Sequence, residues 1–278
     1  HRKNSIKRIL RANYPGSIVA ADGAYLACLR AGLIPDYVVT LDSHATRITR
    51  WFGDHDFERH SDQDDYFERQ DLNTALRKNG VVHNKEDIAL VNRYGHLTRA
   101  IVSSSAPMNV VQRLLEAKFD IYGWNPLVDN PKHKESVSRK LHQINGLSCM
   151  NTGGNVGTAA WVFAAAILKF SQIALIGMDL GYYKETPLRN TQYYYELLDH
   201  AGGEEKLADY FVDFTFPLTG EGFFTDPVYY WYRRNFLDLY KKTDVKTYNC
   251  TEGGILFDND LECMALDRYL KEKWLRSS

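Results

Sequence analysis

The chain has 278 residues, 44% hydrophobic and 25% charged, with 34 basic against 35 acidic side chains and a formal net charge of −1. That balance suits a globular protein with a sizeable core and argues against a broad nucleic-acid footprint, so no nucleic-acid partner is expected. Cys28, Cys149, Cys250 and Cys263 form no C-x-x-C pair, which leaves zinc-ribbon and thioredoxin motifs unsupported and suits thiols in a reducing compartment.

The opening "HRKNSIKRIL" is basic and amphipathic, without the apolar core of a signal peptide. "SIVAAD" (17–22) then reads as a buried strand and "GAYLACLRAG" as a short helix ending at Gly32. "DYVVTLD" (36–42) is a second strand, with helical sequence after Ser43. Asp54–Asp71 is strongly acidic and reads as a solvated insertion rather than a metal site. "IALVN" (88–92) and "AIVSSS" (100–105) are two further strand candidates. "PMNVVQRLLEAK" has helical spacing with Pro107 near its first turn, and "FDIYGW" (119–124) follows as a strand.

"NTGGNVGT" (151–158) stands before an apolar helix, and "QIALIGMD" (172–179) is the most apolar strand. The apolar run Ala159–Leu168 is shorter than the roughly 20 residues of a bilayer span, so no membrane span is expected and the cytoplasm is the expected compartment. Residues 181–242 are dense in aromatics, with "QYYYELLDH" and "PVYYWYRRNFLDLYKK" reading as helices of a lid or subdomain. "VKTYNCTEGGILF" suggests two short strands around a turn, and "LECMALDRYLKEKW" a final helix. The alternation predicts an α/β fold: a mainly parallel sheet with helices on both faces and an aromatic-rich helical insertion.

Ligands of open parallel sheets bind beyond the carboxyl ends of the strands. Asp22, Asp42 and Asp179 stand at such ends, as do Ser103, Ser104 and Ser105. One rim is therefore expected to gather three carboxylates, several hydroxyls and the glycine turn. Asp22, Ser43 and Ser105 could equally serve as helix N-caps, and Asp36 beside Pro35 could shape the turn into its strand. Clustered carboxylates call for a cation, a basic partner or a donor-rich ligand. Mg²⁺ held by Asp22 and Asp42 with substrate phosphates is one candidate. His44, beside Asp42, is a candidate acid or base. Two roles stay open for Asn151, Thr152, Gly153, Gly154 and Asn155: contact with a donor phosphate, or packing and capping. "GGNVG" is neither the dinucleotide fingerprint nor a P-loop.

"AADGAYLACLRAGLIPDYVVTLD" resembles a block of the MptE-like proteins, matching at Asp22, Gly23, Pro35, Asp36 and Asp42. That family includes 6-hydroxymethylpterin diphosphokinase and is similar to the central domain of the Maf motility accessory factors. "NTGGNVGTAAWVFAAAILKFSQIALIGMDLGY" resembles its second block at Gly153, Gly154, Gly177, Asp179 and Tyr182, and "NCTEGG" a late block of the Maf-like branch. The resemblance implies a single Rossmann-like domain over 1–278 with insertions at 54–80 and 181–242. Family members open with a strand and a glycine loop that are missing from the sequence beginning at His1. The resemblance places the aspartates and glycine turn at a nucleotide site, with Thr251, Glu252 and Gly253 as further candidates; Ser104 and Asp179, by their places at strand ends, are expected phosphate-binding residues.

The expected activity is transfer from a nucleotide-activated sugar, with Asp22, Asp42 and His44 as catalytic candidates and a protein or glycan as acceptor. The alternatives are a pterin-type diphosphokinase using ATP and Mg²⁺, and a non-catalytic nucleotide-binding module.

Overall fold

The computed structural model describes residues 2–63 and 74–272, with side chains described within 5–60 and 83–272. The chain divides into two compact units, Pro15–Leu168 and His1–Tyr14 with Lys169–Ser278. We call them the parallel-sheet unit and the two-sheet unit. Helix α1 (Arg2–Arg11) belongs to the latter.

The parallel-sheet unit carries five strands: β1 (Val19–Ala21), β2 (Tyr37–Thr40), β3 (Arg99–Ser103), β4 (Asp120–Pro126) and β5 (Cys149–Met150). They lie side by side in chain order, every pair parallel. The intervening helices are α2 (Asp22–Arg30), α3 (Ala45–Thr49), α4 (Phe57–Gln63), α5 (Thr74–Tyr94), α6 (Met108–Glu116) and α7 (Val137–Asn145). Helix α8 (Val156–Val162) follows β5 and widens into a π-type turn at Phe163–Ile167.

Alternation along the strands splits the core in two. Val38, Ala100 and Val102 face Tyr25, Leu29, Val91, Val110 and Leu114, from α2, α5 and α6. Val39, Ile101 and Met150 face Ala159, Ala160 and Phe163, as α8 returns along the other side against β1 and β2. Sequential strand order places consecutive crossovers on one face, and α8 supplies the cover for the second. The α/β fold with helices on both faces is thus present. The strand order never reverses, so this sheet lacks the switch-point crevice of a doubly wound fold.

The run Ile88–Asn92 is helical, inside α5, not a strand. Its apolar residues follow helical spacing: Val91 is buried, and Asp87 one turn earlier pairs with Arg30 at 2.8 Å. Short apolar runs cannot be assigned by hydrophobicity alone. The acidic segment is also not wholly solvated. Asp54 is buried, binds His60 Nδ1 at 2.5 Å and exchanges backbone bonds with Asn84. Residues 64–71 of that stretch lie outside the described residues.

In the two-sheet unit, β6 (Gln172–Leu175), β10 (Lys246–Asn249) and β11 (Glu262–Cys263) form a parallel sheet in the order β11-β10-β6. β7 (Tyr182–Tyr183), β8 (Val212–Thr215) and β9 (Gly222–Thr225) form an antiparallel one, with β9 central. The aromatic insertion is therefore part sheet rather than only helices. Phe223 of β9 is buried beside Phe216 and Ile255, and Phe214 of β8 packs against them. Its helices are α9 (Tyr194–Ala201) and α10 (Pro227–Tyr240), and α11 (Leu266–Glu272) comes last. The expected second strand at "ILF" is a loop. Ile255 and Leu256 are buried there as core plugs, and Ile255 donates to the Asp179 carbonyl at 2.8 Å.

Candidate functional site

The carboxyl ends of β1, β2, β3 and β5 form one edge of the parallel-sheet unit. They bring Asp22, Asp42, His44, Ser104 and the turn 151–155 to it. Asp36 lies at the opposite edge: it precedes β2, and its Oδ2 accepts the Ile18 amide at 2.8 Å, a turn-closing role. Asp179 follows β6, which pairs with β10, so it stands at a strand end of a different sheet from that of Asp22 and Asp42.

Asp22 opens α2 after a cap residue, Ala21, whose side chain makes no capping bond. Its Oδ1 accepts the Gly23 amide at 2.7 Å. Its Oδ2 and the hydroxyl of Thr40 are both buried, and neither finds a hydrogen-bond partner among the described residues. Thr40 sits near enough to favour the ionised carboxylate without meeting it in hydrogen-bond geometry. Burial raises the Asp22 carboxyl to about 6; the Gly23 amide and Thr40 oppose the rise and the charge of Asp42 adds to it. Asp42 itself is exposed, and its Oδ1 accepts the His44 amide at 2.8 Å. The His44 ring meets the Thr46 hydroxyl through Nδ1 at 3.1 Å.

Neither Ser43 nor Ser105 caps a helix. His44 and Pro107 occupy the cap positions of α3 and α6. Ser105 instead ties two strand ends together: its hydroxyl donates to the Leu41 carbonyl at 2.9 Å and meets Ser103 Oγ at 2.7 Å. Ser104 is exposed beside it.

The glycine turn consumes much of its own donor capacity. Gly153 N–H bonds Asn151 Oδ1 at 3.0 Å, Gly154 N–H bonds Thr152 Oγ1 at 3.2 Å, and Thr158 N–H bonds Asn155 Oδ1 at 2.9 Å. Gly153 and Gly154 are left-handed (φ +56° and +89°), and a Cβ on Gly153 would fall 2.4 Å from Thr158 Cγ2. Packing alone therefore accounts for Gly153.

In the two-sheet unit, Asp179 meets the "TEGG" loop at the ends of neighbouring strands β6 and β10. Thr251 Oγ1 accepts the Met178 amide at 3.3 Å, while Gly253 packs against the Phe223 ring. Gly254, at φ +77°, lies against the Asp179 backbone. Glu252 pairs with Arg8 of α1 through both carboxylate oxygens and accepts the Leu266 amide at the start of α11. It works as a clamp between chain segments.

Among the described residues, no group of three or more His, Cys, Asp or Glu gathers as a metal site. Asp22 and Asp42 follow the adjacent strands β1 and β2, and the charge of Asp42 acts on Asp22. No described helix is long and apolar enough to cross a membrane.

Neither a protein-family profile nor a curated protein matches the chain. A solved structure does: a MAf glycosyltransferase from Magnetospirillum magneticum AMB-1, with a TM-score of 0.56 and 14% identity. The chain is similar to it in fold. The similarity covers 95% of this chain and 32% of that one, so the chain spans about a third of that protein's length. At this identity the likeness concerns the fold alone.

Thr40 escapes a reading that looks only for residues beyond strand ends. Its signal was the pairing of "VAA" with "YVV": one residue past the register Ala21↔Val39, Thr40 falls opposite Asp22.

Proposed function

We propose that the chain is a glycosyltransferase-like enzyme that takes a nucleotide-activated sugar as donor and acts at the rim of the parallel-sheet unit. The reading is carried by a buried, half-satisfied carboxylate at Asp22 on a fold like that of a glycosyltransferase. An acid kept buried against its own desolvation cost is characteristic of functional sites. In the transfer, an acceptor hydroxyl oxygen bonds to the anomeric carbon and gives its proton to a base. The anomeric carbon–oxygen bond breaks, and its electron pair leaves on the donor phosphate. His44 is the base we assign, held by the Asp42 turn and by Thr46.

A thermal-shift panel of nucleotides and CMP- and UDP-sugars, with and without Mg²⁺, tests this. A true donor at a hundredfold excess over its Kd stabilises the chain by about 2.7 kcal/mol. His44→Ala is expected to keep that shift and lose transfer. Stabilisation by ATP with Mg²⁺ but by no nucleotide sugar would overturn the reading in favour of diphosphoryl transfer.

A further inference from the structure

The register of β1 on β2 sets Asp22 and Thr40 opposite each other, one residue past Ala21↔Val39. Asp22 is the first residue of α2, directly after β1, and Thr40 lies near enough to act on its carboxylate. Asp22 Oδ1 is accounted for by the Gly23 amide. Asp22 Oδ2 and Thr40 Oγ1 are not accounted for by any described group, although both are shut away from solvent. Asp22 is 4% exposed and Thr40 0% exposed. Two orphan polar atoms side by side amount to an unfilled hydrogen-bonding position, because buried polar groups are almost always paired. Exposed Gly23 follows Asp22 directly, and exposed Asp42 stands two residues beyond Thr40.

The chemistry of these atoms restricts the occupant. An ionised carboxylate oxygen only accepts, and the charge of Asp42 lies close enough to act on it. A phosphate oxygen is therefore repelled here, and a group rich in O–H donors is favoured. The Thr40 hydroxyl both donates and accepts. A vicinal hydroxyl pair meets both demands: one hydroxyl donates to Asp22 Oδ2, and its neighbour exchanges a bond with Thr40 Oγ1. We propose that Asp22 and Thr40 bind a vicinal hydroxyl pair of the nucleotide-sugar donor at the β1–β2 end of the rim. This rests on the glycosyltransferase-like reading and adds the donor's orientation, with its neutral, hydroxylated part toward Asp22 and its phosphates away from it. Such a pair occurs both in the ribose and in the transferred sugar.

Calorimetric titration of the full chain separates the two sources. The ligands are CMP and UDP, their 2′,3′-dideoxy forms, and the matching nucleotide sugars. If the ribose is held, the dideoxy forms bind about 10- to 100-fold more weakly, the usual size of a hydrogen bond to a charged group. Thr40→Val then reduces that discrimination and Thr40→Ser restores it. If the sugar is held, dideoxy and ribo forms bind alike, and the added affinity of the nucleotide sugar disappears in Thr40→Val. Asp22→Asn weakens the hydroxylated ligand in either case. Should that variant fail to fold, the Thr40 pair and the wild-type ligand series still decide. Nucleotides that bind with no dependence on either hydroxyl pair or on Thr40 overturn the inference and leave nucleotide binding standing. Mg²⁺ that binds alone and is lost in Asp22→Asn, with ribo and dideoxy forms equal, also overturns it. If no nucleotide or nucleotide sugar binds, the glycosyltransferase-like reading fails and this inference with it.

Discussion

Two buried aspartates, one in each unit, stand at the start of a helix and are treated in opposite ways. Asp226 caps α10: its Oδ1 accepts the Tyr229 amide at 2.8 Å and its Oδ2 accepts the Tyr182 hydroxyl at 2.7 Å. Asp22 begins α2 with one oxygen bonded and one bare. Burial raises both carboxyl pKa values. In Asp226 both oxygens are hydrogen-bonded, which opposes the rise, beside Tyr182 stacked on Tyr229 and Tyr193 edge-on to Tyr229. In Asp22 the desolvation is left partly uncompensated. A buried acid can thus be an internal support or a held-open acceptor, and the count of partners, not burial, tells them apart.

The largest effect expected from this contrast lies in the two-sheet unit, whose strand ends are locked by packing. A Cβ on Gly254 would fall 2.2 Å from the Asp179 carbonyl oxygen, at a φ of +77° that side chains rarely adopt. Gly254→Ala should cost more than about 3 kcal/mol in urea unfolding. A cost below about 1 kcal/mol would show that this rim is not locked. Next in size, Asp226→Ala should cost about 2–4 kcal/mol, from a lost cap and a stranded Tyr182 hydroxyl.

Asp22→Asn should act in the other direction. The Asp22 carboxyl is held at about 6 against an ordinary 3.8, so between those values the folded chain binds more protons than the unfolded one. Its contribution to stability is full below pH 3.8, falls as pH rises to 6 and stays low above that. The total is about 3 kcal/mol. Urea unfolding at pH 4 and 7.5 should show the asparagine chain gaining about 1–3 kcal/mol at the higher pH, with transfer lost. Destabilisation at pH 7.5 would place Asp22 with Asp226 as an internal support.

Much of the parallel-sheet unit was legible because its strands are short apolar runs ended by polar residues. "YVVTLD" and "AIVSSS" mark both the strands and the edge where the rim lies. Asp179 misled because a strand's apolar character says nothing of which sheet it joins. "IALVN" misled because four apolar residues in a row are compatible with a buried helix. The hairpin strands of the aromatic insertion were hidden by tyrosine and phenylalanine, which suit a strand and a buried helix face alike. The orphan oxygen of Asp22 had no sequence signal of its own, since partner counts emerge only once the strands are in register.

The order of strands in the five-stranded sheet is also the order in which a ribosome releases them. Each new strand finds its neighbour already at the growing edge, the longest wait being that of β2 at Tyr37–Thr40 for β3 at Arg99–Ser103. Helix α8 also closes a long loop, from behind β5 back to β1 and β2. Synthesis can therefore lay this sheet down as a row, and the helix behind the glycine turn is what seals its second side.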